Sequence, residues 1–134
     1  MLYLETEINM KKVISTKNAP EAIGPYSQAI LSNGTLYCSG QIAINPTTRN
    51  LVTDNITKET TQVMENIAEV LKAANMNFSN VVKCSIFMKS MQHYAEINKT
   101  YAKYFDKSPP AREAVEVSVL PKNVNVEISV IAVI

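Results

Sequence analysis

Two charged residues near the end of the chain, Arg112 and Glu127, have side chains suited to work on a small anionic substrate. An arginine carries a permanent charge and a planar fork of donors that matches a carboxylate. A glutamate can act as a general base or acid, taking a proton from one group and giving it to another. Both stand on alternating segments. In Ala111 to Leu120, Val115, Val117 and Val119 share one side, while Arg112, Ala114, Glu116 and Ser118 share the other. In Val124 to Ile134, Val126, Ile128 and Val130 oppose Asn125, Glu127 and Ser129. A period of two is that of β-strands. On residue type alone, a surface ion pair is the plainer reading of Arg112, and an exposed strand acid that of Glu127.

The other reactive side chains give weaker signals. His93 has a side chain fit for acid–base work but stands in no partner motif, so it reads as a solvated helix residue. Cys38 and Cys84, the only two cysteines, lie far apart in apolar stretches and read as buried, reduced thiols. That usage fits a reducing compartment, and a cytoplasmic location is expected. One histidine and two scattered cysteines make no recognisable metal site. No Ser-His-Asp pattern, phosphate-binding loop or dinucleotide fingerprint is present. Thirteen basic and twelve acidic residues leave a net charge of +1, which offers no electrostatic footprint for nucleic acid or anionic membrane. No apolar run approaches the ~20 residues of a membrane span.

A chain of 134 residues, 46% of them hydrophobic, is large and apolar enough to bury one core without metals or disulfides. Residues 1–9 are read as an extension outside the fold, and residues 10–134 as a single domain. Val13 to Thr16 is a first strand. Tyr26 to Leu31 and Leu36 to Ser39 flank Ser32-Asn33-Gly34, a strong hairpin signal. Thr57 to Ala74 places Val63, Met64, Ile67, Val70, Leu71 and Ala74 on one face of a helix, with Thr57 as N-cap and Asn75 as stop. Val81 to Met88 is a strand, and Met91 to Phe105 a second helix with Tyr94, Ile97 and Tyr101 at helical spacing. Pro109 and Pro110 end it. The predicted order is β-β-β-α-β-α-β-β: an α+β domain with one mixed sheet and two helices on one face.

Joined as a hairpin through Pro121-Lys122-Asn123, the last two strands would set Glu116 opposite Glu127 and Arg112 opposite Ile131. Arg112 and Glu127 would then share the face the helices leave open, offset by about 13 Å along the strands. At that spacing they either close on one small ligand or meet across a subunit boundary. Ile131 and Val133 continue the same face and call for cover by another subunit.

Gly24-Pro25-Tyr26-Ser27-Gln28-Ala29, Ser39-Gly40-Gln41-Ile42, Asn98-x-x-Tyr101, Pro110-Ala111-Arg112, Leu120-Pro121-Lys122 and Val126-Glu127-Ile128 together resemble the Rid family, also named YjgF or L-PSP endoribonuclease. The match runs in one register from about Met10 to Ile134. The resemblance implies a chorismate-mutase-like fold, a homotrimer with sites in clefts between subunits, and no cofactor. It implies hydrolysis of 2-aminoacrylate and related enamines or imines to 2-keto acids and ammonia. By the same resemblance Arg112 holds the substrate carboxylate and Glu127 orients the attacking water. Tyr26, Ser39 and Asn98 match pocket positions, and Ala114 stands where many bacterial members carry cysteine. Glu113 departs from the small residue usual after the arginine; by alternation it points away from Arg112. An endoribonuclease or translation inhibitor is the alternative reading, and a non-catalytic ligand-binding trimer a third. The near-neutral charge weighs against the former, and the presence of both Arg112 and Glu127 against the latter.

Overall fold

Asn33 and Gly34 adopt left-handed backbone conformations in succession, with φ of 51° and 79°. That pair of positive angles is what a two-residue hairpin loop requires. The loop joins β2 (Ala29–Ser32) to β3 (Thr35–Gln41) with Ser32 opposite Thr35. The strand β1 (Lys11–Ile14) adds antiparallel to the outer side of β2. The computed structural model describes residues 11–134. The extension expected at residues 1–9 lies outside the described residues.

The helix α1 (Ile56–Ala73) forms where its periodicity predicts, but its N-cap is Asn55 rather than Thr57. The Asn55 carboxamide accepts from the Lys58 amide at 2.8 Å, so Thr57 falls inside the first turn. Asn75, at φ 60°, stops the helix as predicted, and the Met76 amide bonds back to the Leu71 carbonyl. Val63, Met64, Ile67, Val70 and Leu71 are all fully buried. After β4 (Val81–Met88), the expected helix over residues 91–105 divides. Met91–His93 is a 3₁₀ turn, and α2 spans only Tyr94–Ala102. Tyr104 and Phe105 leave the helix to pack around Phe78, with ring centroids 5.2 and 5.4 Å away.

The last two strands, β5 (Ala111–Glu116) and β6 (Val126–Val133), do not form the expected hairpin. The sheet order is β1-β2-β3-β6-β4-β5. The final strand β6 enters between β3 and β4, antiparallel to both, and β5 lies parallel to β4 at the far edge. The β4–α2–β5 unit is a parallel crossover, which the helix makes possible. Alternation shows that two segments are strands; it does not show which strands they pair with. Glu116 therefore does not oppose Glu127. It caps the 3₁₀ turn instead, accepting from the Met91 amide at 2.8 Å.

The pairing also inverts the expected faces of β5. Arg112 stands beside Cys84, and Ala114 beside Ile86, both on the core side of β4. Arg112 and Ala114 thus face the helices, while Glu113 and Val115 face the open side with Ser85 and Phe87. Glu113 does point away from Arg112, as alternation predicts. It accepts from the Ser85 hydroxyl and pairs with Lys83 at 3.1 Å, which together hold its carboxyl below the usual range. The β6 faces are as predicted: Val126, Ile128, Val130 and Ala132 are buried, and Glu127, Ser129 and Ile131 lie on the open face. That face carries Ile30, Tyr37, Phe87, Val115 and Ile131 among its polar residues, and no helix among the described residues covers it. Among the described residues, no helix is long and apolar enough to cross a membrane.

Candidate active site

Arg112 reaches from the edge strand to α2. Its Nη1 donates to Asn98 Oδ1 at 2.7 Å and its Nη2 to Tyr94 Oη at 2.8 Å. The guanidinium carbon lies 5.7 Å from the centre of the Tyr94 ring and 5.0 Å from that of Tyr101. Both distances are within cation–π range. Every polar partner is neutral, and no carboxylate pairs with Arg112 among the described residues. The half-buried guanidinium therefore keeps its full charge and three of its five donors.

Cys84 and Tyr101 lie beneath this arginine. Burial raises the pKa of both, and Tyr101 Oη has no hydrogen bond of good geometry. Burial also pushes the Cys38 thiol up to about 12. Both cysteines are buried and free, and neither is an activated nucleophile.

Glu127 stands on the opposite face of the sheet, near a second group of expected residues. The β3–β6 ladder shifts register between Cys38 and Gln41, and Gly40 sits in that irregularity. A β-carbon on Gly40 would overlap the Glu127 carboxylate, so glycine is what lets the acid lie across the strand. Partial burial raises the Glu127 pKa above the ordinary carboxylate value. No protein donor bonds this carboxylate among the described residues.

Gly40 also lines a cleft of about 950 Å³, together with Tyr26, Gln41, Ile42, Pro121 and Lys122. Tyr26 is 53% exposed at its mouth. Ser39 holds the neighbouring segment, its amide bonding Gln28 O at 2.9 Å and its hydroxyl Ser27 O at 2.6 Å. The buried Gln28 side chain then binds backbone groups of Thr16, Ala19 and Pro20, which fixes the cleft wall.

The predicted site residues thus fall into two groups. Arg112, Asn98 and Ala114 lie together on the helix side of the sheet. Glu127, Tyr26 and Ser39 belong to the other group, around Gly40. The expectation that Arg112 and Glu127 share a face is overturned, because β4 separates their strands and the register gives them opposite faces. Asn98 bonds the arginine directly, which its sequence signal did not specify. Tyr94 reads only as helix spacing, and Tyr101 as helix spacing and part of the Asn98-x-x-Tyr101 motif; in the structure residues 94, 98 and 101 form one stripe under the guanidinium. Among the described residues, no group of three or more His, Cys, Asp or Glu side chains is placed to hold a metal.

A family model described as Endoribonuclease L-PSP matches residues 16–134. A RutC family protein from Pyrococcus horikoshii is 50% identical over 123 residues, 92% of this chain and 98% of that protein. A protein of Bos taurus named 2-iminobutanoate/2-iminopropanoate deaminase is 45% identical over 124 residues, 92% of this chain and 90% of that one. Among solved structures, the Rid-family protein YyfA from Yersinia pestis superposes with a TM-score of 0.90 at 53% identity, covering 92% of this chain and 99% of that one. TdcF of E. coli, solved with bound serine, gives 0.89 at 34% identity, with coverage of 92% and 99%. The motifs, the topology and these matches agree: the chain belongs to the Rid family, also called the YjgF or L-PSP endoribonuclease family.

Proposed function

We propose that this protein is a hydrolytic deaminase of 2-imino acids and their enamine tautomers, producing 2-keto acids and ammonia. The observation that carries this reading is the Arg112 guanidinium, half-buried, fixed by neutral acceptors and without a carboxylate partner among the described residues. A cation held in that way suits the carboxylate of a small substrate. The bovine relative's name and the serine bound to TdcF, itself a small amino acid with a carboxylate, support the same chemistry.

Arg112 binds the substrate carboxylate and orients the C=N group. Glu127, as carboxylate, takes a proton from water as the oxygen attacks the imine carbon. The resulting carbinolamine accepts that proton on nitrogen from the Glu127 carboxyl. As the C–N bond breaks, the hydroxyl proton passes through Glu127 to the departing nitrogen, so that ammonia leaves and the keto acid remains. One water is consumed and one ammonia released. A raised pKa suits Glu127 to both halves of the cycle.

Because the two residues occupy opposite faces of one sheet, the site is completed by a second copy that brings its Glu127 group against Arg112. A homotrimer, with its sites between subunits and the open sheet face covered, satisfies this requirement. Ala114, two residues beyond Arg112 on the same side of β5, stands beside the substrate, and Tyr26 closes the cleft. No cofactor is assigned to the reaction, and a cytoplasmic setting is the natural one for it.

The test couples a serine or threonine dehydratase to this protein in a buffer poor in nucleophiles and follows keto-acid appearance. Acceleration that depends on the amount of protein is expected. A rate equal to spontaneous imine hydrolysis would exclude the deaminase reading.

A further inference from the structure

The stripe under Arg112 contains a residue to which the proposed chemistry gives no task. Tyr94, Asn98 and Tyr101 follow one another at spacings of four and three on α2, so their side chains share one face. All three touch the guanidinium. Asn98 restrains one terminal nitrogen and Tyr101 supports the flat face. Tyr94 does two things at once: its hydroxyl accepts from Nη2 at 2.8 Å, and its ring lies 5.7 Å from the guanidinium carbon.

We propose that Tyr94 is a positioning residue that aims Arg112 at the substrate carboxylate. This rests on the role given to Arg112 above. An arginine on an edge strand has several soft torsions, and a single bond to Asn98 leaves the plane of its fork free to turn. A second bond at the other terminal nitrogen fixes that plane. Because the acceptor is an uncharged hydroxyl, it orients the fork without neutralising it; a carboxylate at the same place would compete with the substrate. The half-buried setting of Tyr94 means that loss of its hydroxyl removes this restraint and little else.

Tyr94→Phe keeps the ring and deletes the bond. Nitrogen NMR of the Arg112 side chain in the ligand-free protein reads the restraint directly. Slow guanidinium rotation is expected in the wild type and faster rotation in Tyr94→Phe. Affinity for a 2-keto acid should fall about 3- to 10-fold, the range of one hydrogen bond. KM should rise by a similar factor while kcat changes less. In an Arg112→Ala background the same substitution should cost nothing further, since its effect passes through the arginine. Unchanged rotation in Tyr94→Phe would overturn the proposal. So would an affinity loss of the same size in the Arg112→Ala background, which would mark Tyr94 as structural support only. Wild-type protein that neither binds keto acid nor hydrolyses imines would overturn the deaminase reading instead, and the rotation measurement would still decide the role of Tyr94.

Discussion

The carboxylate of Glu127 lies across the backbone of Gly40, in space that a β-carbon would occupy. The obstacle is the far end of a flexible side chain, so Gly40→Ala should fold and simply push the acid aside. A displacement of about 1 Å at a reacting group can cost on the order of 100-fold in rate. We expect kcat for Gly40→Ala to fall between about 10-fold and 100-fold, with affinity for a 2-keto acid nearly retained. Steady-state kinetics and calorimetry on the one variant check both halves.

Glu127→Gln separates chemistry from binding. It preserves shape but removes the proton acceptor, so turnover should fall by about 100-fold or more. Product affinity should hold or tighten, because a negative charge near an anionic ligand is gone. Equal losses of binding and rate would assign Glu127 a structural role.

The raised pKa of Glu127 has a sign for stability too. A carboxyl whose folded pKa exceeds its unfolded value favours the native state when protonated. That contribution is present below the unfolded pKa and lost as pH rises through the folded one. Glu127→Gln should therefore unfold at a higher temperature than the wild type at neutral pH, and the gap should close in acid. Thermal melts of the two proteins from about pH 3.5 to about pH 7.5 test this. In the wild type, kcat should decline as pH falls through the raised value, because the general base becomes protonated.

Arg112→Ala should lose product affinity before anything else. One charge-assisted hydrogen bond contributes ~1.5–3 kcal/mol, so at least a ~10-fold loss is expected. Arg112→Lys should rescue poorly, because Asn98 and Tyr94 hold two prongs of a fork that an ammonium does not have. Near-normal turnover in Arg112→Ala would remove the clamp from the mechanism.

The proposed trimer would make the two charged residues complementary between copies. Arg112→Ala and Glu127→Gln chains, each nearly inactive alone, should regain activity when refolded together. With random assembly into cyclic trimers, each site has roughly a one-in-four chance of intact Arg112 beside intact Glu127. About a quarter of wild-type activity is expected. No recovery on mixing would place both residues of each site in one chain, and light scattering that gave a monomer at micromolar concentration would exclude the trimer.

What the sequence made legible follows from how local each signal is. The Asn33-Gly34 turn and the apolar stripe of α1 depend on residues within a few positions, and both form where expected. The pairing of β5 and β6 depends on which distant strand each meets, and alternation carries no such information. The faces of β5 were misread for a related reason. Its valines suggested an inward side, but Arg112 and Ala114 lie under α2 while Val115 faces the open side of the sheet. A strand with apolar residues on a side left bare within one chain looks inside out. In the site, the family motifs picked out Arg112, Asn98 and Glu127, but not their separation into two groups. Tyr94 was visible only as a helical spacing, because aromatic residues at that period usually mark core rather than a cradle for a cation.

The strand at the middle of the sheet, β6, is the last of the six in chain order. During synthesis β3 and β4 are both complete while the place between them is still empty. Until β6 emerges the molecule is two separate ribbons, β1-β2-β3 and β4-β5, each with a raw inner edge. Glu59 on α1 marks where the missing piece will dock: its buried carboxylate receives the amides of Asn125 and Val126 and the Asn125 side chain. A chain released before residue 126 would therefore display two sticky edges rather than a slightly shortened protein, and quality-control machinery would meet it as such.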